Sequence, residues 1–391
     1  MGERREVILA ELLQNKGYIR GPFGSALKRP EMKSEGIPVY EQQHAIYNSR
    51  EFRFYIDEKK FEELKRFQVK NGDIVISCSG TVGKVTIIKE DDPKGIISQA
   101  LLILRVDESK VLPEYLKYFF SSQEGYNAIV SRSSGSVQVN ISKREVIEQI
   151  PISLPTISEQ EKIVSILKSI DDKVQTNSAI NRNLQEQAVA IYKEMILDSA
   201  EELCGIGKLS DVAVITMGQS PKGDTYNEEG NGAVFYQGRG EFGWRFPTRR
   251  LFTTEPKRMA MINDVLISVR APVGDVNVAY EECCIGRGLG AIHSKDNHQS
   301  YVLYTVLSLK EKFEVFNGEG TVFGSINRDG LNNMEIVIPP AKVRDSFEEL
   351  VAPIDKMIKS NYEEIICLTE LRDALLPKLM SGELDVSDLD I

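Results

Sequence analysis

IDDKVQTN, Ile170–Asn177, returns near the other end of the chain as IDKMIKSN, Ile354–Asn361. The recurrence is longer than these eight residues. GSVQVNISKREVIEQIPISLP (Gly135–Pro155) lies without a gap over GTVFGSINRDGLNNMEIVIPP (Gly320–Pro340), an offset of 185. Farther on, Ile170/Ile354, Asn177/Asn361, Leu184/Leu368 and Ala190/Ala374 match at an offset of 184, so one deletion reconciles the halves. Upstream, NGDIVISCSGTVGKV (Asn71–Val85) matches INDVLISVRAPVGDV (Ile262–Val276) through Asp73/Asp264, Ser77/Ser268, Val82/Val273 and Gly83/Gly274. An internal repeat fixes the architecture before any motif does. Each half reads as a globular α/β module followed by a long helix.

Apolar residues alternating four and three apart mark a coiled-coil seam. One seam runs Ile163, Leu167, Ile170, Val174, Asn177, Asn181, Leu184, Ala188, Ile191, Met195. The other runs Phe347, Val351, Ile354, Ile358, Asn361, Ile365, Leu368, Arg372, Leu375, Leu379, each position shifted by 184. Two seams in register favour mutual packing over two independent amphipathic helices. A seam amide lowers stability but fixes register, which is the role expected of Asn177 and Asn361. Ser158 and Glu161, just after Pro155, supply a capping box for the first helix, and Pro377 predicts a kinked or separate last turn in the second. From 163 to 195 the seam is ~50 Å long at ~1.5 Å per residue.

The chain has 391 residues, 41% hydrophobic and 27% charged, enough for two to three domains of ordinary globular composition. No run approaches the ~20 apolar residues of a membrane span. The opening MGERREVILAELL lacks the pattern of a secretory signal, so a cytoplasmic location is expected. Five cysteines without CxxC spacing argue against a disulfide framework or zinc knuckle, and Cys283 and Cys284 read as buried thiols. Phosphate-loop, nucleophile-elbow, zinc-helix and paired glycine-rich signatures are absent, as is the Asn/Asp-Pro-Pro-aromatic motif of base amino-methylating enzymes. The histidines His44, His293 and His298 are scattered. Neither a metal site, a cofactor nor a catalytic residue is expected.

The modules do offer donor-rich loops. In YQGRGEFGWRFPTRRLFTTEPKR (Tyr236–Arg258), Arg239, Arg245, Arg249, Arg250, Lys257 and Arg258 are interleaved with Phe242, Trp244 and Phe246. Guanidinium groups suit phosphates and guanine edges. The corresponding first-module stretch, VYEQQHAIYNSREFRFY (Val39–Tyr55), carries Gln42, Gln43, His44, Asn48, Arg50 and Arg53. Amides and arginines are the side chains best able to read adenine and guanine in the major groove. SRSSGSVQVN adds Arg132 and Ser134 as phosphate-contact candidates. The net charge of −10 is concentrated toward the C terminus, where residues 341–391 carry 6 Lys/Arg against 12 Asp/Glu.

The order of GPFGSALK (Gly21–Lys28), NGDIVIS with TVGKV, ISLPTISEQEKIVSILKSIDDKV, MGQSPKG (Met217–Gly223), SVRAPVGDV, IPP and LLPKLMSGEL (Leu375–Leu384) resembles the specificity subunit of type I restriction-modification systems over almost the whole chain. One departure is Arg344-Asp345, standing where that family has an acidic-Gln step. The resemblance implies an α+β chain with two α/β target-recognition domains in tandem repeat. A long antiparallel two-helix coiled coil with pseudo-two-fold symmetry would separate them. Its expected boundaries are 1–156 and 200–341 for the recognition domains, 157–199 and 342–384 for the helices, and 385–391 for an acidic tail. It further implies a chain without catalysis of its own that directs two methyltransferase subunits, and through them restriction subunits, to double-stranded DNA. Lys28, Lys84, Gln219, Lys222, Gln237, Arg270 and Arg287 then join the loop residues above as expected DNA contacts. Two related but unequal modules suit a split, asymmetric target, one half each, with the helices as the ruler. A protein-binding scaffold and a stand-alone regulator are the competing classes.

Overall fold

The computed structural model describes residues 4–23, 26–131, 140–198, 205–317, 324–387 and 389. The chain divides into two compact units, Met1–Gln175 with Ile365–Ile391, and Thr176–Glu364. Each unit holds one module and a segment of both long helices.

In the first unit the strands are β1 (Arg5–Ile8), β2 (Leu13–Arg20), β3 (Ile37–Tyr40), β4 (Tyr55–Ile56), β5 (Ile74–Ser77), β6 (Val85–Ile87), β7 (Ile96–Ile97), β8 (Leu101–Val106) and β9 (Pro151–Leu154). They form an antiparallel sheet of order β2-β8-β5-β6, a small sheet β4-β3-β7 and a ribbon β1-β9. The apolar run Ile74-Val75-Ile76 needs no polar alternation because both faces of its strand are covered. Ile74, Ile76, Leu102 and Leu104 face a core built with the helix Pro113–Ser121 and the long helices. Val75, Leu101 and Ile103 face a second core under the small sheet.

The second unit repeats this plan. Its strands are β10 (Gly205–Lys208), β11 (Ala213–Met217), β12 (Tyr226–Asn227), β13 (Ala233–Tyr236), β14 (Phe252–Thr253), β15 (Met259–Ala260), β16 (Val265–Ser268), β17 (Val276–Val278), β18 (Cys283–Ile285), β19 (Leu289–Ser294) and β20 (Glu335–Ile338). The order β11-β19-β16-β17 matches β2-β8-β5-β6, and β10-β20 matches β1-β9. The parallel pair β3-β7 has its counterpart in β13-β18.

Residues shared by the two halves hold this scaffold. Asp73 is fully buried, receives two 2.7 Å bonds from Arg105, and accepts the Lys70 N–H. Asp264 likewise accepts from the Met261 N–H at 2.8 Å and meets His293 at 2.6 Å. Burial pushes both carboxyls upward, and the facing donors work against it. Ser77 and Ser268 each accept a 2.9 Å bond from the N–H of Lys84 and Asp275, closing the same hairpin. Cys283 and Cys284 are buried in β18, with the Cys283 thiol pushed up to about 12 by burial.

The central helix spans Ile157–Tyr192 and ends in a π-helical turn, Lys193–Asp198; the closing helix spans Ala341–Ser381. All twenty seam positions are buried or half-buried. Two expectations at the helix ends need correction. The capping box is Thr156 with Glu159 rather than Ser158 with Glu161. Thr156 N–H donates to Glu159 Oε2 at 2.9 Å, because the helix begins at Ile157 and its cap is the residue before. The closing helix also runs through Pro377 without a break. Proline removes one helical bond, but Leu376, Leu379 and Met380 are buried in the first core, and Arg4 donates to the carbonyls of Leu379 and Met380.

Within each unit the two helix segments run antiparallel. In the first, Arg372 Nη1 donates to Asp171 Oδ1 at 3.1 Å, and Ile163 and Leu167 share a core with Leu376 and Leu379. In the second, Asn177 Nδ2 donates to Glu364 Oε2 at 2.7 Å, Asn361 Nδ2 to Asn181 Oδ1 at 2.8 Å, and Asn181 Nδ2 to the Ile358 carbonyl at 3.1 Å. Asn177 and Asn361 therefore do not bond each other; each finds a partner on the facing helix, and Asn181 joins the polar layer.

The repeated Ile-Asp step attaches helix to module. Asp171 accepts from Tyr118 Oη at 2.8 Å and lies 3.4 Å from Lys117 Nζ. Asp355 accepts from Tyr304 Oη at 2.9 Å and pairs with Arg245. Burial pushes the Asp171 carboxyl up, yet Lys117, Tyr118 and Arg372 together hold it below the usual range. A folded value below the unfolded one gives stability that is complete above the ordinary carboxylate range and is lost as pH falls through the depressed value. Asp171→Asn is accordingly expected to flatten the acid limb of a urea-midpoint profile against pH; an unaltered limb counts against the anchor.

The departure at Arg344-Asp345 has a local cause. Arg344 Nη1 donates to Asp296 Oδ2 at 2.5 Å, and His298 Nε2 meets Asp345 Oδ1 at 2.8 Å. Burial favours the neutral imidazole, but Asp296 and Asp345 outweigh it and hold His298 above its usual value. Glu348 caps the helix Gln299–Ser308 by accepting the N–H groups of Ser300 and Tyr301 at 3.1 and 3.2 Å. In the first unit, Gln160 Oε1 does this work for Pro113–Ser121, accepting the Leu112 N–H at 2.9 Å. Among the described residues no group of three His, Cys, Asp or Glu side chains is placed to hold a metal ion, and no helix is long and apolar enough to cross a membrane.

Candidate nucleic-acid interface

Because the sheets are superposable in order, the same set of loops leaves the same end of each module. In the second unit, β11, β13, β16 and β18 end there and β19 begins there. Gln219 N–H donates to the Ile285 carbonyl, Gly286 N–H to Tyr236, Arg287 N–H to Ser220 Oγ, and Val269 N–H to Gly288, all between 2.8 and 3.2 Å. These bonds bring Gln219, Gln237, Arg270 and Arg287, all exposed, to one edge. Arg239 adds to it through its pair with Asp275, and exposed Lys222 follows on the Gln219 loop. Gly218 permits the tight approach of strands: a Cβ there would stand 2.1 Å from the Gly286 carbonyl oxygen.

In the first unit the edge is formed by the ends of β2, β3, β5 and β7. Gly21 N–H donates to Leu101, Ser98 N–H to Tyr40, and Cys78 N–H to Ala100. Gln42 sits at this edge, but its amide donates to the Ser79 and Thr81 carbonyls and so braces the β5-β6 loop. Lys84 is exposed there, 5.5 Å over the Tyr126 ring, and Lys28 lies exposed beyond β2. Arg132 and Ser134 lie outside the described residues.

The remaining expected contacts are placed elsewhere or already engaged. His44 is fully buried, stacked on Phe52 at 4.6 Å, with its Nδ1 accepting from the Glu41 N–H and its Nε2 3.0 Å from the Glu51 carbonyl. Gln43 donates to that same carbonyl at 3.2 Å. Arg50 is forked onto Asp92 at 2.7 and 2.8 Å, and exposed Arg53 onto Glu41 at 3.1 and 2.8 Å. Arg245 is only 5% exposed and bound to Asp355, so it is a structural cation and not a solvent-facing one. Arg249 pairs with the half-buried Glu281, and Arg250, itself exposed, pairs with the buried Glu241. The stretch Tyr236–Arg258 thus does not present one basic face; its arginines diverge. Arg20, which the sequence did not single out, ends β2 at the first unit's edge with no hydrogen-bond partner for its buried Nε.

The family model for the type I restriction modification DNA specificity domain matches this chain twice, over residues 24–186 and 202–358. A Methanocaldococcus jannaschii protein described as the type I restriction enzyme MjaX specificity subunit is 30% identical over 357 residues, covering 85% of this chain and 83% of the relative. The MjaIX specificity subunit of the same organism is 24% identical over 371 residues, covering 88% of this chain and 84% of its own. Among solved structures, the crystal structure of a type I restriction-modification S subunit from M. genitalium has a TM-score of 0.61 at 16% identity. It covers 97% of this chain and 96% of that one, a likeness of fold.

Proposed function

Since the chain belongs to the type I restriction-modification DNA specificity family, we propose that it reads a bipartite, asymmetric DNA target, one half per module, and delivers two methyltransferase subunits and their restriction partners to it. One observation carries the bipartite part. The two modules share strand order and the buried residues of their scaffold, while the side chains at the loop edge differ: Arg20, Gln42 and Lys84 in the first, Gln219, Gln237, Arg239, Arg270 and Arg287 in the second. Equal frames with unequal edges suit two unequal half-sites. The chain contributes recognition and placement, and the chemistry resides in its partners. The recognition domains are residues 1–156 and 200–341, with the helices between them setting the spacer.

A net charge of −10 opposes DNA affinity, which rests on neutralised phosphates. Many of the arginines are also already paired with carboxylates of the chain itself. Weak, salt-sensitive binding is therefore expected from the isolated chain, and tight binding once methyltransferase subunits are added. Mapping methylated adenines in DNA treated with the assembly should return two short, different sequence elements at a fixed separation. A palindromic or continuous site, or equal specific affinity with and without partners, contradicts this reading.

A further inference from the structure

We propose that Arg20 is a DNA phosphate-binding residue of the first module, held half-buried and without a counter-ion until the duplex arrives. The inference deepens the DNA-reading function above and rests on it. Arg20 is the last residue of β2, opposite Leu102. The next residue is pinned by a 3.0 Å bond from Gly21 N–H to the Leu101 carbonyl. An added Cβ on Gly21 would lie 1.9 Å from the Ser98 carbonyl oxygen, so the strand end has little freedom and the direction of Arg20 is set.

Among the described residues, no carboxylate forms an ion pair with Arg20. Its Nε is buried without a hydrogen-bond partner, and its guanidinium lies 5.6 Å over the ring of Phe23, which is 59% exposed. The buried Cys78 thiol nearby is pushed up to about 12 and stays neutral, as does the Tyr18 phenol. Glu148, the carboxylate on that side, is taken by Arg144 at 2.8 Å. Two other half-buried guanidiniums of this module, Arg50 and Arg105, are each forked onto an aspartate, and a third, Arg4, donates to the carbonyls of Leu379 and Met380. A desolvated guanidinium left unpaired is unfavourable unless an anion completes it. At a loop edge facing DNA, the anion of matching forked geometry is a backbone phosphate. A position at the rim of a strand, with its ring partner beside it, suits a contact to the backbone and not deep entry into a groove. In the second module the equivalent strand position is Met217, paired with Gly290, and exposed Arg270 in the bridge to Ser325 supplies the edge cation instead.

The test uses the full chain assembled with its methyltransferase subunits, on a duplex carrying the target mapped for the wild-type assembly. Arg20→Met installs the residue that the second module tolerates at the equivalent place. It is expected to weaken binding roughly tenfold near 0.1 M salt and to reduce the slope of log affinity against log salt by about 0.9. The map of methylated sequences should stay unchanged. Arg20→Lys keeps the charge and should keep the slope while losing part of the affinity; it also decides the matter if the methionine variant does not fold. Wild-type slope and affinity in a folded Arg20→Met assembly overturn the proposal while leaving the DNA-reading function standing. A change at one base position of the methylation map makes Arg20 a base reader and overturns the phosphate assignment. Failure of the wild-type assembly to bind any sequence specifically removes the underlying function and this contact with it.

Discussion

Replacing Asp355 with alanine is expected to destabilise the second unit by about 3 kcal/mol, because it leaves the nearly buried Arg245 without its carboxylate and the Tyr304 hydroxyl without its acceptor. Burial and the adjacent Asp355 push the Tyr304 phenol up, so it remains a donor, while Arg245 cannot shed its charge. Arg245→Ala should be comparably damaging. The double variant Asp355→Leu with Arg245→Met should recover most of the loss, since an apolar pair of similar volume often replaces a buried ion pair at little cost. Arg249→Ala, at a partly exposed ion pair, is expected to stay within about 0.5 kcal/mol. Arg250→Ala, which leaves the buried Glu241 carboxylate without its cation, should fall between that and Asp355→Ala. Urea unfolding of the five proteins checks the ordering. An Asp355→Ala midpoint close to wild type would mean that the anchor contributes little. The same ordering bears on DNA experiments: loss of binding in an Arg245 variant reports a damaged module, whereas loss in a folded Arg270 or Arg287 variant reports recognition.

Lengthening both long helices by three heptads is expected to lengthen the preferred target by about nine base pairs while leaving both half-site sequences intact. Twenty-one residues add ~32 Å at 1.5 Å per residue, close to the ~34 Å of one DNA turn, so the two half-sites return to nearly the same side of the duplex. Insertions between Gln175 and Thr176 and between Glu364 and Ile365, where the two units meet along the chain, keep the polar layer of Asn177, Asn181, Asn361 and Glu364 whole within the second unit. A single heptad adds ~10 Å, about three base pairs, and turns the half-sites by roughly 100°. It should therefore methylate poorly and with a blurred spacing. Methylation sequencing of the variant assemblies decides the point; an unchanged spacer after three heptads excludes the helices as the ruler.

The duplicated scaffold was legible because its residues obey local rules. The apolar strands, the seams and the paired Asp73/Asp264 and Ser77/Ser268 all repeat at fixed offsets, and in the structure each member of a pair accepts from a backbone N–H at the equivalent position. The capping box was displaced by two residues because Thr156-Glu159 and Ser158-Glu161 overlap in the same pattern, and only the first helical residue distinguishes them. The edge residues were harder to read. Arg245 and Arg249 look alike in sequence, and what separates them is a carboxylate 110 positions away that meets one and not the other. His44 carries the donors of a base reader, yet the Glu41 amide and the Phe52 ring claim it inside the module. Arg20 stood outside every motif, since its meaning comes from the absence of a partner in three dimensions.

The interleaving of the two units sets the order in which the chain can be finished during synthesis. The second unit is one continuous stretch, Thr176–Glu364, and can close as soon as it has been made. The first needs Leu376, Leu379, Met380 and Val386 to complete its core, so the module made first is completed last. At roughly 5–20 residues per second, Ile163 and Leu167 wait on the order of 10–40 s for the residues that will cover them. During that interval the nascent chain carries an open apolar seam shaped for the last turns of its own closing helix.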